Sequence, residues 1–407
     1  MALSTKSDEA PAPIRPGLPT APPALLKAES EGCPTARPVA GALTSRLQTG
    51  LRVLFFLLAL YVFFFSIDLM STAFKLMGRG FAAQLLTTVS SPFNGLLIGL
   101  LVTSLVQSSS CTTSIAVGMV GAGALPLPLA IPIIMGANIG TTVTNTIVSI
   151  GHVTRRAEFR EAFAAGTVHD CFNVLAVLVL FPIELLFHPV QRVAHLLGGA
   201  FEGVGGIELT GPLKAVVRPA THALADLVPF AVPLLIIALV VLFVALTQMV
   251  RVMRILVLTR VEGLFDRVLF RNDFSGFMLG WVLTATVQSS SATTSLIVPL
   301  AGAGVLSLRR VYPYTLGANL GTTITAILAA LATGHPAAVT VAFAHMTFNI
   351  FGIAIFYPLR VIPITMASRL GKFASRSGRA SVTVIGALVV IYVLPVLYLI
   401  LQYQAGK

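Results

Sequence analysis

QSSSCTTS, from Gln107 to Ser114, sets a glutamine and seven hydroxyl or thiol side chains in a row, with no Lys, Arg, Asp or Glu between Gly80 and Thr154. At Gln288–Ser295, 181 residues later, the chain reads QSSSATTS, and seven of the eight letters repeat. An unpaired polar group buried in hydrocarbon loses roughly several kcal/mol. Such a run therefore cannot face lipid; it must face protein, or water enclosed by protein.

The rest of the chain supplies the oily surroundings. Of 407 residues, 56% are apolar and only 10% charged, where soluble domains carry roughly a quarter charged. At about 20 residues per helical crossing, the apolar blocks provide roughly seven or eight crossings or partial crossings. A strand barrel would alternate over roughly 10-residue segments; blocks such as Leu51–Met70 and Pro229–Leu246 are apolar nearly all round. The expected fold class is an all-α polytopic membrane protein.

The net charge of +12 does not point to nucleic acid, because the basic residues sit in short runs between apolar blocks, where membrane topology uses them. Cys33, Cys111 and Cys171 form no disulfide framework, and the last two read as packing residues. No C-x-x-C pair or histidine cluster suggests a metal site. Residues 1–45, rich in Pro, Ala and Ser with mixed charges, read as a disordered cytoplasmic tail. A signal peptide would carry its apolar region nearer the start, so the first apolar block is a true span.

The repeat extends beyond the octamer. GANIGTTVT (Gly136–Thr144) returns as GANLGTTIT (Gly317–Thr325), and Gly121-Ala-Gly123 as Gly302-Ala-Gly304, both offset by 181. His169-x-x-Phe-Asn173 returns as His345-x-x-Phe-Asn349, and Pro182 as Pro358, offset by 176. Repeats of this size in a membrane protein belong to transporter folds built from two halves. Their equivalent loops differ in charge. GHVTRRAEFR (Gly151–Arg160) is basic whereas Gly334-His-Pro-Ala-Ala338 is not, and uncharged Gly123–Pro128 corresponds to Gly304–Arg310, which carries Arg309 and Arg310. By the positive-inside rule the equivalent loops lie on opposite sides, so the copies are inverted.

Arg46 and Arg52 keep the N-terminus inside, while Arg251, Arg254, Arg260, Arg267 and Arg271 mark a cytoplasmic loop. The stretch from about 92 to 121 must then enter and leave from the outside. It reads as a re-entrant helical hairpin with QSSSCTTS at its tip, and the second copy repeats it from the inside. The expected order is a tail (1–45), a first transmembrane helix with an external connection (46–89), repeat 1 (90–187) and an external linker (188–228). A transmembrane helix with a basic cytoplasmic loop (229–273), repeat 2 (274–363), and a basic loop with the last span (364–407) complete it, leaving the C-terminus outside.

Facing each other near the midplane, the two tips form a nest of neutral donors and acceptors; the alternative is that Ser and Thr simply join helices. Glycines and an asparagine inside the GANIGTT and GANLGTT spans favour an unwound stretch. Its carbonyls and hydroxyls suit a small hard cation, and its N–H groups suit an anion; the alternative is close helix packing through small residues. Neither hairpin carries an Arg or Lys to neutralise an anion, so co-bound cations have to compensate it. Asp170, whose counterpart is Met346, is an intramembrane carboxylate and a functional candidate, unless it pairs near the water boundary with Arg155, Arg156 or Arg160. His169 and His345 read as structural. Asn173 and Asn349 are either ligands or interhelical hydrogen-bond partners.

The paired QSSS motifs, the GAN-x-GTT spans and TVHDCFN (Thr167–Asn173) resemble the type II sodium-dependent phosphate cotransporters over roughly residues 51–379. The resemblance implies symport of inorganic phosphate with Na⁺, the hairpin tips forming the phosphate and sodium sites. In that family an aspartate in the His-Asp pair goes with electrogenic transport and an additional sodium site, and Asp170 matches it. Two departures stand out: the linker between the repeats is short and lacks cysteine and sequon, and Ser381–Tyr403 is expected to be the last span, where animal members continue into a further one that returns the C-terminus inside.

The expectation is thus a secondary symporter of the cell (inner) membrane, not an enzyme, importing phosphate down the sodium gradient with net charge. It has no cofactor beyond co-transported sodium and no nucleic-acid partner; the lipid bilayer surrounds it, with room for a homodimer. The expected binding residues are Gln107, Ser108, Ser109, Ser110, Thr112, Thr113, Asn138, Thr141, Thr142, Asp170 and Asn173 in the first half. Their partners in the second are Gln288, Ser289, Ser290, Ser291, Thr293, Thr294, Asn319, Thr322, Thr323 and Asn349. Sodium is expected among Gln107, Asp170, Asn173, Gln288, Ser291 and Asn319. Rival readings are a symporter of another oxyanion or a carboxylate, and a channel; an enzyme lacks any H-E-x-x-H or G-x-S-x-G support.

Overall fold

A computed structural model of the chain describes residues 39–89, 91–141, 143–206, 210–258 and 272–405. By internal contacts the chain divides into residues 1–48 and 49–407, and the architecture below is that of the second unit. Thr142 and the basic segment holding Arg260, Arg267 and Arg271 lie outside the described residues, as do residues 1–38 of the expected tail. The first described helix begins at Val39.

All regular structure among the described residues is helical. The first half runs α1 (Val39–Thr88), α2 (Pro92–Val106), α3 (Ser109–Gly121), α4 (Leu127–Gly140), α5 (Val143–Ile150) and α6 (Arg156–Phe187). Two linker helices, α7 (Pro189–Gly203) and α8 (Thr210–Leu227), lead to α9 (Ala231–Met253). The second half runs α10 (Asp273–Val287), α11 (Ser290–Thr294), α12 (Ile297–Gly302), α13 (Leu308–Gly321), α14 (Thr323–Thr333) and α15 (Pro336–Phe356), followed by α16 (Val361–Ala374) and α17 (Gly378–Ala405). Seven helical stretches among the described residues are long and apolar enough to cross a membrane: 47–78, 127–150, 156–187, 231–257, 308–333, 336–356 and 378–402.

The breaks between elements follow from local chemistry. Ser91 caps α2 by accepting from the Asn94 N–H at 3.2 Å, with Pro92 in the first turn where its missing N–H costs nothing. Asn272 caps α10 in a reciprocal capping box with Ser275. Both helices stop at a glutamine in left-handed conformation, Gln107 (φ 54°) and Gln288 (φ 63°). At each break the next serine restarts the helix: Ser108 Oγ accepts from the Cys111 N–H and Ser289 Oγ from the Ala292 N–H, both at 3.2 Å.

Glycines set the packing around these breaks. A Cβ on Gly99 or Gly136 would overlap the backbone of Ile133 or Leu96 across the α2–α4 seam. Gly280 and Gly317 stand in the same relation to Tyr314 and Phe277 across α10–α13. The expected unwinding of the GAN-x-GTT spans is correspondingly small. α4 ends at Gly140 and α5 starts at Val143, while Thr322, the one residue between α13 and α14, keeps right-handed helical angles. The threonines turn back on their own helices instead: Thr141 Oγ1 donates to Ala137 O at 2.9 Å and Thr322 Oγ1 to Asn319 O at 2.6 Å. Close helix packing, the bland alternative, accounts for these glycines.

The linker, read from sequence only as an external connection, folds into two helices. The buried Glu184 carboxylate accepts from the N–H groups of Val190 (2.7 Å) and Gln191 (3.1 Å), capping α7 across the turn where His188 is left-handed. One core cluster joins α1 (Phe63, Ile67, Met70) to α9 (Leu234, Ala238, Leu242), and a second gathers α6, α13 and α15 around Phe172, Tyr312 and Phe348.

Candidate binding site

The two tips meet. A cavity of about 210 Å³ is lined by Gln107, Ser108, Ser109 and Ser110 from the first half and by Gln288, Ser289, Ser290 and Ser291 from the second. Val106 lies beside the first tip, and Phe243, Leu246, Thr247 and Val250 of α9 close the remaining wall. Among the described residues, no charged side chain lines it.

Hydrogen-bond accounting shows what the tips can offer. Ser108 and Ser289 use a lone pair to accept a backbone N–H, so each hydroxyl proton stays free to donate into the cavity. The first turn of α3 adds backbone N–H groups that have no helical carbonyl to reach. Ser110 and Ser291, equivalent at the 181 offset, each cross to the other half: Ser110 Oγ donates to Thr325 Oγ1 (3.4 Å) and Ser291 Oγ to Thr141 O (3.3 Å). Thr325 in turn donates to Gln288 Oε1 at 2.7 Å. The tips are therefore tied together through the opposite spans.

Five other expected residues stand behind the tips. Thr112 accepts from Thr103 (2.8 Å) and Thr293 pairs with Thr284 (2.6 Å), a hydroxyl bridge repeated in both halves. Thr113 bonds its own helix at Ser109 O (2.8 Å), and Thr294 pairs with Asn145 (2.8 Å). Thr323 likewise bonds back, to Leu320 O at 2.8 Å. These groups shape the tips and do not reach the cavity.

The asparagines form a separate buried cluster. Asn319 Nδ2 donates to Asn173 Oδ1 and Asn349 Oδ1, both at 3.0 Å, and Asn173 Nδ2 donates to Asn138 O at 2.8 Å. For Asn173 and Asn349 the interhelical role is thus present in the structure. Among the described residues the buried amide oxygen of Asn138 has no hydrogen-bond partner, and Asn319 lies beside His169. His169 and His345 are fully buried, and neither makes a ring-nitrogen hydrogen bond among the described residues. Asp170 stands apart, accepting from Thr146 Oγ1 at 3.2 Å, and forms no ion pair with Arg155, Arg156 or Arg160. The single expected site thus separates into a cavity, an asparagine cluster and a carboxylate.

Sequence reasoning did not single out Thr325, Asn145, Thr146 or the α9 wall. Thr325 ends the GANLGTTIT motif and Asn145 directly follows its first copy, GANIGTTVT, so a polar group inside an apolar run was the available signal. No signal marked Phe243, Leu246 and Val250, which look like any other lipid-span residues.

Helical spans surrounding two near-identical polar tips define a polytopic membrane protein with a duplicated internal site. The family model of the Na⁺/Pi-cotransporter matches residues 62–209 and 241–360, and the chain belongs to that family. It is 37% identical to sodium-dependent phosphate transport protein 2A of Rattus norvegicus, over 86% of this chain and 68% of that protein. It is 35% identical to the 2A protein of Ovis aries, with the same coverage. The 2B protein of Homo sapiens is 34% identical over 80% of this chain and 62% of its own length. No solved structure matches.

Proposed function

We propose that the protein is a secondary symporter that imports inorganic phosphate with sodium. The observation that carries this is the meeting of two repeated polar tips at one uncharged cavity. An oxyanion there is held by hydroxyl, amide and backbone donors, and only co-bound cations offset its charge. Sodium dependence and phosphate are what the names of the relatives state.

The two halves are inverted and their tips re-entrant on this reading. The 15 residues of α2 and of α10 extend about 22 Å at 1.5 Å per residue, short of a hydrocarbon core of roughly 30 Å. The opposite charge of equivalent loops supports the inversion, with the N-terminus inside and the end of α17 outside. Apolar side chains exposed along α9, such as Val232, Ile236 and Val240, suit lipid contact. Transport is electrogenic, and Asp170 carries that property as a carboxylate without an ion-pair partner beside a buried threonine.

The test is phosphate uptake into proteoliposomes under inward Na⁺, K⁺ or H⁺ gradients at clamped potential, with sulfate, arsenate and succinate as competitors. Uptake should require Na⁺ and grow with inside-negative potential, gaining about 2.3 kcal/mol per charge per 100 mV. Asp170→Asn should retain sodium-dependent uptake while losing voltage dependence. Uptake indifferent to every gradient would remove the symport reading, and succinate outcompeting phosphate would reassign the substrate.

A further inference from the structure

We propose that Thr247 of α9 supplies an oxygen ligand to a co-transported sodium ion in the cavity between the tips. The inference deepens the symport reading and rests on it. α9 belongs to neither polar tip, yet it closes the cavity with Phe243, Leu246, Thr247 and Val250. That spacing of three, four and seven places all four on one face of the helix. Three are apolar, so Thr247 is the one polar side chain that this wall presents.

Its hydrogen bonding decides which ion it suits. Thr247 Oγ1 donates its proton to Phe243 O at 2.7 Å. A hydroxyl has one proton and two lone pairs, so Thr247 turns lone pairs toward the cavity. Ser108 and Ser289 are arranged the other way: they accept backbone N–H groups and keep protons to donate. The cavity therefore has donors at Ser108 and Ser289, while Thr247 on α9 adds an acceptor, as do Ser110 and Ser291, whose protons go to Thr325 and Thr141. Donors complement an oxyanion; a neutral hard oxygen complements Na⁺. A cation at Thr247 would sit beside the anion, offsetting its charge where the lining carries none.

The position also indicates a route. Thr247 and Val250 lie on the half of α9 that ends at Arg251 and Arg254, the end assigned to the cytoplasm by charge. A sodium ion leaving inward from the tips passes this face. Val232, Ile236, Val240 and Val244, also exposed on this side of α9, do not line the cavity.

The experiment compares full-length parent, Thr247→Val and Thr247→Ser in proteoliposomes. Phosphate uptake is measured against sodium at saturating phosphate, and against phosphate at saturating sodium. Valine keeps the shape and removes the oxygen, so the sodium half-saturation should rise about fivefold, as for the loss of one ligand bond, with the phosphate KM unchanged. Serine should restore the parent sodium curve. Purified parent should also gain thermal stability on Na⁺ addition, and Thr247→Val should need correspondingly more Na⁺; this readout does not depend on turnover. Thr247→Ala serves as the second variant if valine lowers folding yield. A sodium curve that superimposes on the parent overturns the proposal, and so does an equal shift of the sodium and phosphate curves. A parent that takes up phosphate without sodium defeats the symport reading itself, before any variant is compared.

Discussion

Gln107 and Gln288 occupy the same place in two near-identical octamers, share a left-handed backbone and precede serines with the same capping bond, yet their side chains do different things. Gln288 is buried; its amide oxygen accepts from Thr325 and its Nε2 donates to Ala285 O. Gln107 is exposed at the cavity and makes no hydrogen bond to another described residue. The residue equivalent to Thr325 is Thr144, and it does not reach Gln107. One tip is clamped and the other is available. Duplicated letters thus do not imply duplicated roles; the difference comes from whether the threonine of the same repeat reaches each glutamine.

The entrances to the two tips differ in the same way. In the second half, Asp273 at the start of α10 pairs with Arg360 and with Arg310 (3.5 Å), and Tyr357 Oη donates to it at 3.4 Å. Bonding to this carboxylate raises the pKa of the Arg360 guanidinium further above its ordinary value. The position 181 residues before Asp273 is Pro92, and Arg310 corresponds to Leu129, so the first half has no ionic counterpart there.

The largest expected effect tests what the halves share. Gly317→Ala should cost about 3 kcal/mol, because its Cβ would overlap Phe277 O and both sides of the seam are backbone. Gly136→Ala should cost a similar amount against Leu96 O. Thermal unfolding in detergent measures both, and a half that tolerated its alanine would break the equivalence of the seams.

Next come the glutamines. Gln288→Ala strands the buried Thr325 hydroxyl and should lower stability by about 1–2 kcal/mol. Gln107→Ala should change stability by less than about 0.5 kcal/mol while phosphate uptake falls. Gln107→Gly should melt higher than Gln107→Ala by about 1 kcal/mol, because glycine accepts the left-handed angles, and should be no better at transport. If Gln107→Ala destabilised the fold and Gln288→Ala only slowed uptake, the assignment of clamped and available tips would be reversed.

The smallest effect belongs to the ionic entrance. Asp273→Asn should cost less than about 1 kcal/mol, since the group is partly exposed and screened. The loss should shrink in high salt, and melting curves at two ionic strengths would show it. A cost that ignored salt would identify the Tyr357 bond, not the arginines, as the support for α10.

Much of this architecture was legible because bilayer physics leaves few options. Apolar blocks had to be helices, and the repeated octamers had to face inward because lipid cannot satisfy them. The polar residues of the site were legible as a set for the same reason. Their partition was not. Asn138, Asn173, Asn319 and Asn349 sit at the same kind of sequence position as the cavity serines, yet they bond to one another, since α4, α6, α13 and α15 bring them together. The glycines of GANIGTT and GANLGTT suggested unwinding by propensity, but the α2–α4 and α10–α13 seams use their missing side chains for close approach.

By itself, then, the sequence determined a helical membrane protein, a duplicated polar motif and the neutrality of its site. These follow from composition and repetition, which need no third dimension. Only the tertiary structure decided that the two tips share one cavity, that α9 closes it with Thr247, and that Gln288 is held while Gln107 is not. The meeting of the tips depends on contacts between residues some 150 to 220 positions apart, such as Ser291 with Thr141 and Ser110 with Thr325, and even the bond that holds Gln288 spans 37 residues. No local pattern encodes such pairs; they arise when packing sets the distance between helices.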